Sequence, residues 1–398
     1  MTKKIAAIDI GTTKVCTIMG VQDDKYGLRI QGIGVAPSHG IEKAVVANVT
    51  QVKDAIRQSI SKAEMMAGTK LTSAYIGVTG NSITSANKKG TIAITRNDQL
   101  VRQDDLKRVL DVALNSEGPG ERKILHVIPR TYILDGHEVQ NPIGMNGNEL
   151  GIEAHVITGT SSSVQNLTQC INSVGIGIEE FILEPLACAE AVLTAEEKQA
   201  GVLVADIGGG ITNIAVMRNG CIYHTAVSSV AGQHVTQDIA TGLGIPIELA
   251  EEMKKKYGNL QLLEEKEGEK VLGENGHSIA YGDLCDIMRA RLEELMRLIM
   301  MELPNSNFAS LIPAGVVLTG GCANVPGIVD MAQAVTRLPV RIGVPSALSG
   351  VSSAVLNDPS YATSVGLLLW SMKNAGVGSQ KGLQKSPSRF SKFFSIFR

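Results

Sequence analysis

Apolar residues come in short unbroken runs that stop at glycine. Lys4 to Ile10 is one such run and predicts a buried strand. It ends in Asp9-Ile10-Gly11-Thr12-Thr13-Lys14, and a second strand, Val15 to Gly20, follows at once. The design returns at Val202 to Met217. There a buried strand ends in Asp206-Ile207-Gly208-Gly209-Gly210, another covers Thr212 to Met217, and Arg218-Asn219-Gly220 makes a hairpin turn. A third buried run, Val316 to Leu318, breaks into Gly320-Gly321, and residues 328–336 read as helix. Asp104 to Asn115 also reads as helix, and Leu284, Met288, Leu292, Leu295 and Ile299 fall at helical spacing.

The pattern changes at the far end. Residues 373–387 are rich in Gly, Ser, Lys and Gln without periodicity and predict a flexible linker. Beyond it Phe390, Phe393, Phe394 and Phe397 fall at i, i+3, i+4 and i+7, so 388–398 predicts an amphipathic helix. Arg389, Lys392 and Arg398 lie toward the flanks of its apolar stripe. Such a helix could dock on the protein's own core. Four of the chain's six Phe, crowded beside three cations and no acid, favour an anionic membrane surface instead.

Composition sharpens this picture. At 398 residues the chain exceeds one ordinary core, so at least two lobes are expected. With 44% hydrophobic residues and 42 glycines it suits a globular α/β fold with close backbone approaches. The six cysteines stand apart with no Cys-x-x-Cys pair, which argues against zinc or a disulfide framework and for a reducing cytosol. No apolar stretch is long enough to span a membrane. After Asp358 the only charges are six cations, so a net charge of −2 leaves −8 on residues 1–358. Nucleic acid is therefore not an expected partner of the body.

Each Asp-x-Gly loop sets a carboxylate at a strand end beside glycines whose N–H groups can wrap a phosphate. A carboxylate beside a polyphosphate is repulsive unless a cation joins them, and Mg²⁺ is commonly held by one or two carboxylates plus phosphates and water. Asp9 and Asp206, 197 residues apart, are the candidate metal carboxylates. Neither loop is a G-x-G-x-x-G entering a helix, and no G-x-x-x-x-G-K-[ST] is present.

Together the three glycine segments resemble the actin, sugar-kinase and DnaK-type chaperone superfamily. The resemblance implies ATP with Mg²⁺, held by Asp9, Gly11, Thr12, Thr13, Lys14, Asp206, Gly208, Gly209, Gly210, Thr212, Gly320, Gly321 and Asn324. The stretch Ile182 to Ala191 looks like that superfamily's connecting helix and implies a catalytic role near metal and water for Glu184. The residue is equally suited to meeting a helix dipole. Glu251 and Lys254 occupy positions implied to grip the sugar or base, while a solvated charged helix face reads the same way.

The stretches at 80–94, 124–136, 141–147, 231–245 and 250–258 are similar to the FtsA family, in that family's order. The resemblance implies an actin-like two-lobed fold with duplicated ribonuclease H-like domains. Its first lobe would be 1–82 with 161–200, its FtsA-type inserted subdomain 83–160, its second lobe 201–231 with 306–372, and a fourth subdomain 232–305 with helices near 234–242, 246–257 and 283–303. It further implies an ATP-binding division protein that polymerises on the cytoplasmic face of the cell membrane at the division site. There it would tether FtsZ by that protein's C-terminal peptide and recruit later division proteins. Arg289, Arg291 and Arg297 are the expected peptide contacts. A phosphotransferase or a pilus-assembly relative of the same fold are the alternatives; the first lacks a sugar-kinase substrate segment here, and the second should lack the terminal helix. One departure stands out. Where the family pattern has Thr and Asp, this chain has Ile211 and Asn213, which predicts slow or absent hydrolysis and faster turnover on restoring both.

Overall fold

The computed structural model describes residues 3–23, 27–114, 121–261, 269–272, 278–304, 307–345, 349–350 and 353–375. The expected membrane helix at 388–398 lies outside the described residues, as does most of the expected linker. A helix, Ala362–Ala375, runs into the start of that linker, because Lys373, Asn374 and Ala375 tolerate helix and the first breaker is Gly376.

Two sheets repeat one topology. The first is ordered Gly177–Leu183, Ser73–Val78, Lys3–Ile10, Lys14–Asp23, Gly27–Pro37, Ser349–Gly350. The second is ordered Cys221–Ser228, Thr212–Arg218, Val202–Ile207, Val316–Thr319, Val340–Ile342. In each, the aspartate-bearing strand pairs antiparallel with its hairpin partner and parallel with a later strand. Even the register repeats, since Asp9 faces Cys16 and Asp206 faces Asn213, each seven positions on. The turn after Thr212–Arg218 has Asn219 at φ 54° and Gly220 at φ 72°, the paired positive angles that match a tight hairpin to strand twist.

Helices Glu184–Val192 and Ala362–Ala375 lie between the sheets. Their Leu186, Val365 and Leu368 share one apolar cluster with Ile18 of the first sheet and Val204 and Val317 of the second. Burying each such side chain contributes about 1.5–3 kcal/mol. The lobes are therefore joined through one core, which fixes their strand ends relative to each other.

A four-stranded sheet, ordered Ile83–Ala93, Glu149–Thr160, Arg122–Leu134, His137–Val139, is inserted after Ser73–Val78. Helix Gln103–Leu114 covers it with Leu106, Val109 and Leu110, and these form a separate core with Val127, Leu150 and Ile152. Helices Gly232–Leu243, Ile247–Tyr257 and Tyr281–Met301 behave differently. Their Val235, Met253, Met288 and Leu292 extend the cluster of Ile214 and Val216, so this segment grows out of the second lobe's core.

Candidate functional site

A cavity of about 510 Å³ opens between the lobes, where the strand ends carrying both glycine loops converge. Asp9, Gly11, Thr12, Thr13 and Lys14 line it from one side, and Asp206 with Gly208, Gly209 and Gly210 from the other. Gly320, Gly321 and Asn324 add a third wall, Glu251 and Lys254 a fourth, and Glu184 the floor. All but one of the expected ligand residues therefore meet here. Thr212 is the exception: it is fully buried, and its hydroxyl donates to the Val230 carbonyl at 2.8 Å. Neighbours on a strand point to opposite faces, so it is Asn213, not Thr212, that faces the cavity.

The two phosphate-type loops touch. A Cβ on Gly209 would fall 2.3 Å from Thr13 Cγ2, and one on Gly210 would fall 2.5 Å from Thr12 Oγ1. These glycines serve loop-to-loop contact as well as any ligand. Gly320 sits at φ 85°, and its Cβ would meet Asp206 Oδ1 at 2.4 Å, so the Gly320-Gly321 turn packs directly on the second aspartate.

The electrostatics are dominated by buried acid. Burial raises Asp9, and burial pushes Asp206 up to about 6. Glu184 stands well above the usual carboxylate range through burial and the nearby Asp9 and Asp206. Three carboxylates facing one space, Glu184 buried and Asp9 and Asp206 half-buried, are costly without a cation. Among the described residues no three of His, Cys, Asp or Glu are arranged to hold a metal alone. Carboxylates are the residue type that holds Mg²⁺ in ones and twos, with phosphate and water completing its shell.

The helix that starts at Ala362 holds both aspartates. Ser364 Oγ donates to Asp9 Oδ2 at 2.6 Å, and Thr363 Oγ1 donates to Asp206 Oδ2 at 2.6 Å. Just before it, Ser360 Oγ accepts from Lys14 Nζ at 3.1 Å, and the same ammonium lies 3.6 Å from the centre of the Tyr361 ring. Asp358 accepts from Asn324 Nδ2 at 3.2 and 3.3 Å. Sequence reading assigned none of Asp358, Ser360, Thr363, Ser364 and Thr79 a role. For Ser360, Thr363 and Ser364 the one available signal is a cluster of hydroxyls around a helix start, a pattern that ordinary capping also produces; Asp358 and Thr79 carry none.

Glu251 and Lys254 pair at 2.5 Å, and Lys254 Nζ also reaches Thr236 Oγ1 at 2.7 Å and the Gly232 carbonyl at 3.1 Å. This network leaves them at the cavity wall rather than on a freely solvated face. The three arginines of helix Tyr281–Met301 each have an internal partner. Arg289 donates to the Leu260 carbonyl, Arg291 pairs with Asp238 at 2.5 Å, and Arg297 pairs with Glu293 at 2.9 Å. Of these, Arg297 keeps the most exposed side chain, at 59%.

A family model described as "Cell division protein FtsA" matches residues 203–366, and one described as "SHS2 domain inserted in FTSA" matches residues 80–158. The chain is 38% identical to the cell division protein FtsA of Pseudomonas aeruginosa, covering 96% of this chain and 93% of that protein. The chain belongs to the FtsA family of cell-division proteins. It is also 35% identical to the Bacillus subtilis FtsA, over 94% of this chain and 85% of the relative. Among solved structures, a PilM-PilN type IV pilus biogenesis complex gives a TM-score of 0.69 at 17% identity, over 92% of this chain and 98% of that one. MreB5 of Spiroplasma citri bound to ADP gives 0.57 at 16%, over 94% and 99%. These two likenesses show the actin-like fold alone. The second family model coincides with the inserted four-stranded sheet, so the FtsA-type subdomain is present.

Proposed function

We propose that this FtsA-family chain binds ATP with Mg²⁺ in the interlobe cavity. The observation that carries the reading is the convergence of Asp9, Asp206 and Glu184 with two touching glycine loops on one space. The glycine loops would cradle phosphates, Lys14 would neutralise them once drawn from Ser360, and Asp9 and Asp206 would hold the metal directly or through water. The metal supplies charge neutralisation between carboxylates and phosphate. Met288 and Leu292 line the far end, an apolar surface suited to a base. That MreB5 was solved with ADP supports the reading.

The wider role follows from the family. Nucleotide-bound subunits polymerise on the cytoplasmic face of the cell membrane at the division site, anchored by residues 388–398. They tether FtsZ by its C-terminal peptide on the helix Tyr281–Met301. No described helix is long and apolar enough to cross a membrane. The reading of the terminal segment as the anchor rests on its stripe of four Phe flanked by three cations. Titration calorimetry with ATP, with and without Mg²⁺, tests the nucleotide reading. Mg²⁺-dependent binding that Asp206→Asn weakens is the expected result, and no heat from wild type would sink it.

A further inference from the structure

Thr79, Asn213 and Glu184 form a chain of hydrogen bonds across the floor of the cleft. Thr79 follows strand Ser73–Val78 of the first lobe, Glu184 opens the helix between the lobes, and Asn213 sits on strand Thr212–Arg218 of the second. Thr79 Oγ1 donates to Asn213 Oδ1, and Asn213 Nδ2 donates to Glu184 Oε2 at 3.0 Å. A carboxylate oxygen accepts, so Glu184 takes the Nδ2 end of the amide and leaves Oδ1 to accept from the Thr79 hydroxyl, which anchors the amide from the other side. All three side chains are buried, at 8%, 4% and 6% exposure, yet all three line the cavity.

We propose that Asn213, anchored by Thr79, is a positioning residue that aims Glu184 at the water attacking a bound nucleotide's terminal phosphate. This inference rests on the nucleotide reading above. Glu184 is confined on its other side as well, since a Cβ on Gly77 would lie 3.2 Å from its Oε1. Behind it a small cavity of about 40 Å³, lined by Glu184 and Thr79 together, has room for water. In the reaction, the water oxygen bonds the terminal phosphorus as the bridging bond breaks and ADP leaves with its electron pair. The water's proton passes to Glu184. Asn213 touches none of these atoms; it sets the direction of the carboxylate that does.

The geometry also explains why an amide suits this position. An aspartate at 213 would put a carboxylate oxygen where Nδ2 now donates, against Glu184 and facing the space that Asp9 and Asp206 already share. The sequence pattern by itself predicts faster turnover on restoring Thr at 211 and Asp at 213 together. The place of Asn213 in the structure predicts that Asp at 213 slows it.

The test is single-turnover ATP hydrolysis and Mg²⁺·ATP affinity for the full chain and for T79V, T79S, N213A, N213D and the T79V/N213A double variant. T79V and N213A should each lower the hydrolysis rate about tenfold while affinity moves by less than about threefold. The double variant should be no slower than N213A, T79S should restore the wild-type rate, and N213D should be slower than wild type. Multiplicative effects in the double variant, failure of T79S to rescue, a faster N213D, or wild type that binds but never turns over would each overturn the proposal. Should N213A not fold, T79V against T79S still decides it. Wild type that binds no Mg²⁺·ATP refutes the nucleotide reading itself, a different result from any of these.

Discussion

Asp9 and Asp206, nearly half the chain apart, accept hydrogen bonds from adjacent residues of one helix, Ser364 and Thr363, each at 2.6 Å. The helix Ala362–Ala375 thereby ties the two loops to a common reference, and it packs between the lobes through Val365 and Leu368. Any ligand held by both aspartates is held against this helix.

Removing either donor leaves a half-buried carboxylate short of a partner. Hydrogen bonds to charged groups contribute about 1.5–3 kcal/mol, so Ser364→Ala and Thr363→Val should each weaken Mg²⁺·ATP about tenfold or more in calorimetry. Unchanged affinity in both would mean that these hydroxyls do not orient the metal carboxylates.

Gly209→Ala should wedge the loops apart, because its methyl would fall 2.3 Å from Thr13 Cγ2. The expected result is at least about tenfold weaker nucleotide binding. The companion Thr13→Ser removes that methyl and should recover part of the loss when combined with it.

Acid should destabilise the fold through two buried histidines. His155 accepts from Thr225 Oγ1 through Nε2 at 3.0 Å and donates to Asn87 Oδ1 through Nδ1 at 2.8 Å, joining the inserted subdomain to the second lobe. Burial pushes it down to about 3, and His126 down to about 4, from an ordinary 6.5. Their neutral forms are favoured by folding, so stability is fully present above pH 6.5 and falls as pH drops toward 4. Asp206, raised to about 6, acts in the opposite sense between roughly pH 4 and 6. Thermal unfolding of His155→Gln against wild type should therefore show a shallower acid loss, by up to about 1.4 kcal/mol per pH unit. Parallel profiles would mean that His155 does not titrate with unfolding.

Arg297→Glu should weaken binding of an FtsZ C-terminal peptide with little change in unfolding temperature, since its pair with Glu293 is exposed and contributes little. Arg291→Glu should also cost stability, because it sets like charges against Asp238 and Glu294. Peptide binding untouched by either change would place the FtsZ face elsewhere.

Phe393→Glu with Phe394→Glu should abolish sedimentation with anionic vesicles while leaving ATP affinity and thermal stability unchanged. Added salt should weaken wild-type binding only in part, because it screens the three cations but not apolar burial. Loss of the folded body in the double variant would instead make this segment part of the core.

By itself the sequence determined the repeated strand-loop-strand units, the hairpin at Asn219-Gly220 and most of the cavity lining, because buried strands and Gly turns are written in local order. It also carried the family, through stretches that keep their order along the chain. Only the tertiary structure decided which face each strand residue shows: Thr212 turns into the core and Asn213 into the cleft, a difference of one position that composition leaves open. Only it brought Thr363 and Ser364 to the aspartates and Thr79 to Asn213, because hydrogen bonds between residues more than a hundred positions apart depend on how the lobes pack, and no local pattern encodes that.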